Sequence, residues 1–454
     1  MTSTPANDPA TWRHVPASSS PIDHGRVAEL LAKEWERFTK QTPGSEEHNV
    51  RSSKVLPLGV TSSFQHWDPY PISIVSARGA WLTDVDGQQL LDLSMGFGAM
   101  LVGHLNPTIV ASVNEALEKT GTLFVTPSPS ATEIAERFQH RFNLDMLRFT
   151  NSGTESLMYA VRTARAVTGR KAIVKLEGGY HGGYDALQVS VKPSLEDVGP
   201  ENAPIPVTPF EVEAGTVFVV PYNDLPYLEG ILNEHGSEIA AVVMEPVMEN
   251  LGIVLPDAGY LAGVRAACDA HSVALIFDEV KTGLTARYAG ALAKSIGGGL
   301  PLAAFGGKSE YMAAVVDNRM AHFGTYNGNP LVMAAALAVD EVATHEALDA
   351  AEAINNEALT AMDAIIAKHE LPAHTVGFGV KGAVTWSPTP VRNYRDYKRT
   401  DFEVAELSWL WGVNRGILTP PGLDEQWLVS LAHTSADMNL LVNAFAELAD
   451  ALRA

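Results

Sequence analysis

The sequence predicts an α/β fold, with a mostly parallel sheet in a large domain and a smaller α+β domain toward the C-terminus. Three observations carry this. Residues 240–244 (AAVVM) and 273–277 (VALIF) are near-continuous apolar runs without alternation, as in strands buried on both faces. A helical pattern containing Tyr260, Leu261, Val264 and Cys268 lies between them, as a parallel crossover requires. Upstream, the strand-like Met146–Thr150 and Ala172–Leu176 flank a helical stretch at 155–167, with apolar residues at 157, 160, 161, 164 and 167.

In chain order, the first twenty residues are rich in Pro, Ser and Thr and lack the apolar region of a signal peptide. A helical pattern at 27–38 ends at Thr42, Pro43 and Gly44. Short strands at 72–75 and 80–82 lead into a turn at Asp84, Val85, Asp86 and Gly87. Strands and helices alternate from about Leu91, and helix-forming sequence at 331–369 opens the smaller α+β region. The expected division is therefore 1–90 (tail, helix and small-domain segment), 91–330 (large domain) and 331–454 (C-terminal small domain). No repeat and no low-complexity segment interrupts it.

A chain of 454 residues suffices for roughly two or three domains. Its net charge of −21 argues against nucleic-acid binding, which needs clustered Lys and Arg. The acidity is that of a soluble protein. No run approaches the ~18 apolar residues that cross a bilayer. One cysteine, Cys268, excludes an intramolecular disulfide, and its helical spacing with Leu261 and Val264 assigns it to the core. A cytoplasmic protein with no metal centre is expected.

Four short motifs carry chemistry. Ser152, Gly153 and Thr154 fall between a strand and a helix N-terminus, where free N–H groups, the helix dipole and two hydroxyls suit a phosphate or carboxylate. The same residues serve equally as a plain helix cap. Asp278 ends a buried strand, the position at which doubly wound sheets bind ligands. Opposite a pyridine nitrogen, its carboxylate would keep that nitrogen protonated. Tyr180, in Tyr180-His181-Gly182-Gly183, follows another strand and offers an aromatic face to a planar ring. Lys294 follows an apolar stretch and precedes a glycine-rich turn; a lysine there can lose its proton and form a Schiff base. Alone, each residue has an ordinary explanation. Their conjunction at strand ends of one sheet does not. Gly377, Gly379 and Gly382 also match a dinucleotide-binding fingerprint, but a strand-like run follows where a helix is required, so the match is rejected.

From about Trp35 to the C-terminus the chain resembles the class III aminotransferases, pyridoxal 5′-phosphate (PLP) enzymes of fold type I. The resemblance is strongest to the branch holding glutamate-1-semialdehyde aminomutase and β-amino-acid aminotransferases. It rests on GHLNP (103–107), FTNSGTES (149–156), GGYHGG (178–183), EPV (245–247), FDEVKTG (277–283), AKSIGGGLP (293–301) and GTYNGNP (324–330). It implies a mostly parallel seven-stranded sheet and a homodimer with shared active sites. Ser152, Gly153 and Thr154 are then implied to hold the cofactor phosphate, Tyr180 to stack on the ring, and Val280 to press its other face. Asp278 is implied to pair with the pyridine nitrogen, with His181 and Glu245 also at the cofactor. Lys294 would be the Schiff-base lysine, and Thr325 would reach the partner's phosphate.

Two departures stand out. The branch carries a carboxylate-binding arginine where this chain has Gln65, and a second near Pro421. Phe64 and Trp67 flank Gln65 as candidate lining of an apolar substrate pocket, and Arg51, Arg287 or Arg415 are the alternative cations. The second departure is length. Only fifteen residues separate Asp278 from Lys294, roughly a dozen fewer than in the family, which leaves a bare crossover if 290–293 supply the next strand. The expected activity is transfer of an amino group from an amine, β-amino acid or amino acid to a keto acid, aldehyde or ketone. The alternatives are a PLP-dependent aminomutase, racemase or decarboxylase, or a catalytically impaired homologue with a binding role.

Overall fold

Seven strands from the middle of the chain form one sheet in the computed structural model, which describes residues 14–16, 19–208, 216–284, 291–420 and 426–454. They are β1 (Met146–Thr150), β2 (Ala172–Leu176), β3 (Val217–Val220), β4 (Ile239–Met244), β5 (Ala274–Glu279), β6 (Ala291–Leu292) and β7 (Ala303–Gly307). Their spatial order is β1-β7-β6-β5-β4-β2-β3. Neighbours from β3 to β6 pair in parallel, and β7 runs antiparallel to both β6 and β1. This is the PLP-dependent fold type I sheet that the resemblance implied.

Every residue of β2 and β4 is buried, which is why β4 reads as an unbroken apolar run and β2 as one broken only by Lys175. Between the sheet and the helix Gly153–Thr168, Leu157, Val161, Ile173, Val219, Val243 and Ile276 share one core. Buried aliphatic side chains of this kind are worth about 1.5–3 kcal/mol each. The helix begins where the Ser152 side chain accepts from the Glu155 N–H, and ends at Gly169 in the left-handed region. Cys268 is buried on the helix Tyr260–Ala270, and desolvation pushes its thiol up to about 12.

The short crossover resolves into a two-residue strand. In β6, Ala291 pairs with Asp278 and Leu292 with Glu279. Residues 285–290, Arg287 and Gly290 among them, lie outside the described residues.

Two strands were not legible. β3 is four residues long, and β7 (AAFGG) has little intrinsic strand preference. β7 forms because strands flank it on both sides, and a side chain at Gly306 would meet the Met146 carbonyl at 2.6 Å. The rejected glycine motif is an antiparallel hairpin of His374–Phe378 and Lys381–Thr385.

The chain divides into two units at boundaries later than expected. One comprises Pro107–Thr344 with Val391–Lys398; the other runs to Asn106, then takes His345–Pro390 and Arg399–Ala454. Residues 91–106 stay with the second unit because the N–H groups of Leu91 and Leu93 bond to the carbonyls of Gly416 and Leu418. The helix-forming sequence at 331–369 makes two helices, Pro330–Val342 and His345–His369. The first packs on Pro107–Lys119 and Pro129–Phe142, which carries the larger unit on to Thr344. In the second unit the strands Ile74–Arg78, Trp81–Asp84 and Gln89–Asp92 form a meander, with Ile417–Leu418 parallel to the last. Among the described residues no helix is long and apolar enough to cross a membrane.

Candidate active site

The register of β6 on β5 decides where the lysine falls. Leu292 lies beside Glu279, so Lys294, two residues on, emerges at the sheet edge that carries Asp278. Lys294 itself adopts φ +54°, a conformation that few residues other than glycine take up. Such backbone strain persists only where its surroundings impose it, and it clusters at functional sites. Ser295, Ile296 and Gly297 behind it are buried, which anchors the turn.

Asp278 is 5% exposed and shares a hydrogen with His181, with Nδ1 at 2.7 Å from Oδ2. Its other oxygen accepts from the Val280 N–H at 3.0 Å. His181 is itself buried, and burial pulls its pKa down more than the Asp278 hydrogen bond raises it. The ring is therefore neutral at neutral pH, with Nδ1–H donating to the carboxylate. Its Nε2 is buried and has no hydrogen-bond partner among the described residues.

Val280 lies two residues past Asp278 and meets the start of the helix Gly153–Thr168. A side chain added at Gly153 would lie 2.9 Å from a Val280 methyl, so only glycine lets the helix N-terminus approach this closely. Thr154 faces the 180s loop, where its Oγ1 accepts from the Gly183 N–H at 3.0 Å. Ser152 is exposed and caps the helix at 3.2 Å from the Glu155 nitrogen, so the capping role is real. Tyr180 is half-buried; its carbonyl accepts from Asn250 at 3.3 Å, and burial followed by the Asp278 charge pushes its phenol up.

Glu245 ends β4 and is 2% exposed. One oxygen accepts from the Glu249 N–H at 3.0 Å, and burial, then Asp278, pushes the acid up to about 8. Thr325 is exposed at the rim of the same unit. Its loop is fixed by the Asn151 amide, which donates to the Asn327 side chain at 2.9 Å. Ser152, Gly153, Thr154, Tyr180, His181, Asp278 and Val280 are thus interlinked, while Lys294 and Glu245 join them at the same strand ends.

Several buried residues here escaped the sequence. Lys175, within β2, is fully buried and donates to the carbonyls of Gly179, at 2.8 Å, and Val189; burial pulls it down to about 7. Lys281 donates to the Glu249 carbonyl at 3.2 Å and ties the β5 end to the loop after β4. A lysine inside the apolar run AIVKL was the one available signal. Nothing local marks Lys281.

Phe64, Gln65 and Trp67 lie in the second unit. The Gln65 carbonyl oxygen accepts from Thr61, from its N–H at 3.1 Å and its hydroxyl at 2.7 Å. Phe64 packs on Phe97, with centroids 5.8 Å apart, and Trp67 sits edge-on to Trp409 against the Phe38 and Tyr70 core. Arg415 bonds Glu447 at 3.0 Å and stacks on Trp411 at 3.5 Å. Pro421 lies outside the described residues.

Residues 63–393 match the family model for class III aminotransferases. Glutamate-1-semialdehyde 2,1-aminomutase of Methanothrix thermoacetophila is 35% identical over 87% of this chain and 94% of its own length. A solved glutamate-1-semialdehyde aminomutase from Pseudomonas aeruginosa PAO1, in complex with PMP, superposes with a TM-score of 0.87 at 26% identity, covering 95% of this chain and 99% of that one. The β-phenylalanine aminotransferase of Variovorax paradoxus gives 0.81 at 29% identity, covering 93% of this chain and 97% of that one. The cofactor is pyridoxal 5′-phosphate. The residues present fit it: a glycine-lined helix N-terminus, a half-buried tyrosine, a buried acid backed by a neutral histidine, and a lysine at one sheet edge.

Proposed function

This chain belongs to the class III aminotransferase family, and from that premise we propose that it is a transaminase. The reaction moves an amino group from an amine, β-amino acid or amino acid to a separate keto acid, aldehyde or ketone. The observation that carries this reading is the convergence of Lys294 and the His181–Asp278 pair at one edge of the sheet. When bound, the cofactor supplies an electron sink for the bond-breaking step.

Asp278 would hold a positive charge on the pyridine nitrogen, and the hydrogen bond with His181 orients that carboxyl group. The N–H groups at Gly153 and Thr154, with the Ser152 hydroxyl, would hold the phosphate at the helix N-terminus. Tyr180 and Val280 would fix the two faces of the ring. Lys294 would hold the cofactor and carry the proton from the substrate carbon. Thr325 would complete the phosphate site of a second copy, making the protein a homodimer.

Substrate choice follows from the missing clamp. Gln65 stands where the branch has an arginine and is occupied with Thr61, and Arg415 is occupied with Glu447 and Trp411. Without a guanidinium clamp for a carboxylate, bulky or aromatic amines and β-amino acids are expected to outperform glutamate-1-semialdehyde. The second reading, an intramolecular aminomutase, is favoured by the 35% identity to an enzyme of that name. Incubation with an amino donor and no acceptor separates the two: a transaminase releases the donor's keto product in amounts matching the cofactor. Release of none, with glutamate-1-semialdehyde converted efficiently, would favour the mutase.

A further inference from the structure

The loop that carries Tyr180 and His181 is gripped from more than 200 residues away in sequence. Arg395 is 7% exposed and forms a two-pronged ion pair with Glu177, both N···O distances being 2.9 Å. It also donates to the carbonyls of Gly199 at 2.9 Å and Val198 at 3.3 Å. Next to it, Tyr394 is 1% exposed, and its hydroxyl donates to the Pro193 carbonyl. The Tyr394 ring lies flush on Gly178, where an added side chain would come within 2.1 Å of it. Gly178 has φ +77°, and its N–H bonds to the Ser190 carbonyl at 3.0 Å. Glu177 and Gly178 lead directly into Tyr180 and His181.

The gripping segment has an unusual origin. Val391–Lys398 belongs to the larger unit, whereas the chain on both sides of it belongs to the other. It is a short excursion, anchored again by Arg392 on Asp257 and by the Asn223 amide on the Arg392 carbonyl, at 2.9 Å. A buried bidentate pair is poor evidence of stability, since desolvation offsets most of the attraction. What it fixes well is geometry.

We propose that Val391–Lys398 is a brace that sets the position of the Tyr180–His181 loop, with Arg395 and Tyr394 as positioning residues for cofactor binding. The proposal rests on the assignment of Tyr180, His181 and Asp278 to the cofactor. Displacing the loop moves the aromatic face and loosens the histidine behind Asp278, without touching a group that contacts the cofactor.

The test is titration of PLP-free apoprotein with PLP, reading the dissociation constant and the pH midpoint of the visible band, beside the melting temperature of the apoprotein. Glu177→Gln combined with Arg395→Met removes both charges at similar volume. It is expected to weaken PLP binding by about tenfold or more and to shift the midpoint. Arg395→Lys, which keeps the charge and loses the fork, should fall between. Should the double variant fail to fold, Tyr394→Leu, which takes the ring off Gly178, is read the same way. A lower melting temperature with unchanged affinity and midpoint would overturn the brace and leave the site assignment standing. A wild-type protein that develops no visible band with PLP would overturn the site assignment, and the brace with it.

Discussion

His181 and Asp278 are both buried and lie in hydrogen-bond contact at 2.7 Å. Under the proposed assignment, an amide at 278 would leave the histidine N–H facing a weaker acceptor and the pyridine nitrogen without a counter-charge. Asp278→Asn is expected to lower kcat/KM by about 100-fold or more, equivalent to ~2.7 kcal/mol of barrier, while the apoprotein still folds. Lys294→Ala is expected to abolish both turnover and the visible band, and a variant keeping either would refute the lysine's role. Glu245 gives a test that needs no substrate. Its folded pKa, about 8, lies above the value of an exposed glutamate, so its contribution is fully present in acid and lost as pH rises toward 8. Relative to Glu245→Gln, wild-type stability in urea should therefore fall between about pH 5 and 8, by at most ~1.4 kcal/mol per pH unit. A difference that stays flat over that range contradicts the burial argument. Lys294, Asp278 and Tyr180 were legible because their motifs are local. Arg395 and Tyr394 were not, because their partners Glu177 and Gly178 lie far away in sequence and only folding brings them together.

At the scale of elements, apolar patterning identified strands buried along their whole length, β2 and β4, and missed those made by their neighbours. β7 contains two glycines and is a strand through pairing with β1 and β6. The two-residue β6 shows that a crossover too short for the family pattern still brings Ala291 into register with Asp278, with Lys294 three residues further on. Sequence length alone could not show this, since register is set by pairing. The turn after β2 makes the sharpest prediction at this scale. Gly178→Ala imposes a side chain at φ +77° and drives it into the Tyr394 ring. Strain and overpacking together should cost about 2–4 kcal/mol of unfolding free energy in urea. Gly87 has a similar φ, +84°, but nothing within 4 Å, so Gly87→Ala should cost only about 1 kcal/mol. Equal losses at the two positions would show that the Tyr394 contact is immaterial.

For the whole molecule, the parallel sheet was readable from the middle of the chain, whereas the unit boundaries were not. Residues 91–106 look like the start of a large domain in a linear reading, yet Leu91 and Leu93 bond to Gly416 and Leu418, at the short strand Ile417–Leu418 near the C-terminus. One surface of the larger unit remains to be covered. Phe323, Tyr326 and Val125 are 82%, 62% and 75% exposed, and Phe323 and Val125, with Phe124 and Thr325, border a surface pocket of about 410 Å³. Exposed apolar clusters of this kind mark interaction surfaces. The loop that carries them is fixed, since Tyr159 donates to the Phe323 carbonyl at 3.1 Å and Asn151 holds Asn327. In the proposed homodimer a second copy of the chain would cover the exposed aromatics and receive Thr325 at its phosphate site. Combined Val125→Glu and Phe323→Glu substitutions place two charges in that contact. They are expected to shift the protein from dimer to monomer in sedimentation at micromolar concentration, and to weaken PLP binding at the same time. Thr325→Ala should weaken PLP binding while leaving the dimer intact, because it removes a hydroxyl and no apolar contact. A monomeric double variant with the wild-type PLP dissociation constant would show that each subunit builds its phosphate site alone, and that Thr325 has no part in it.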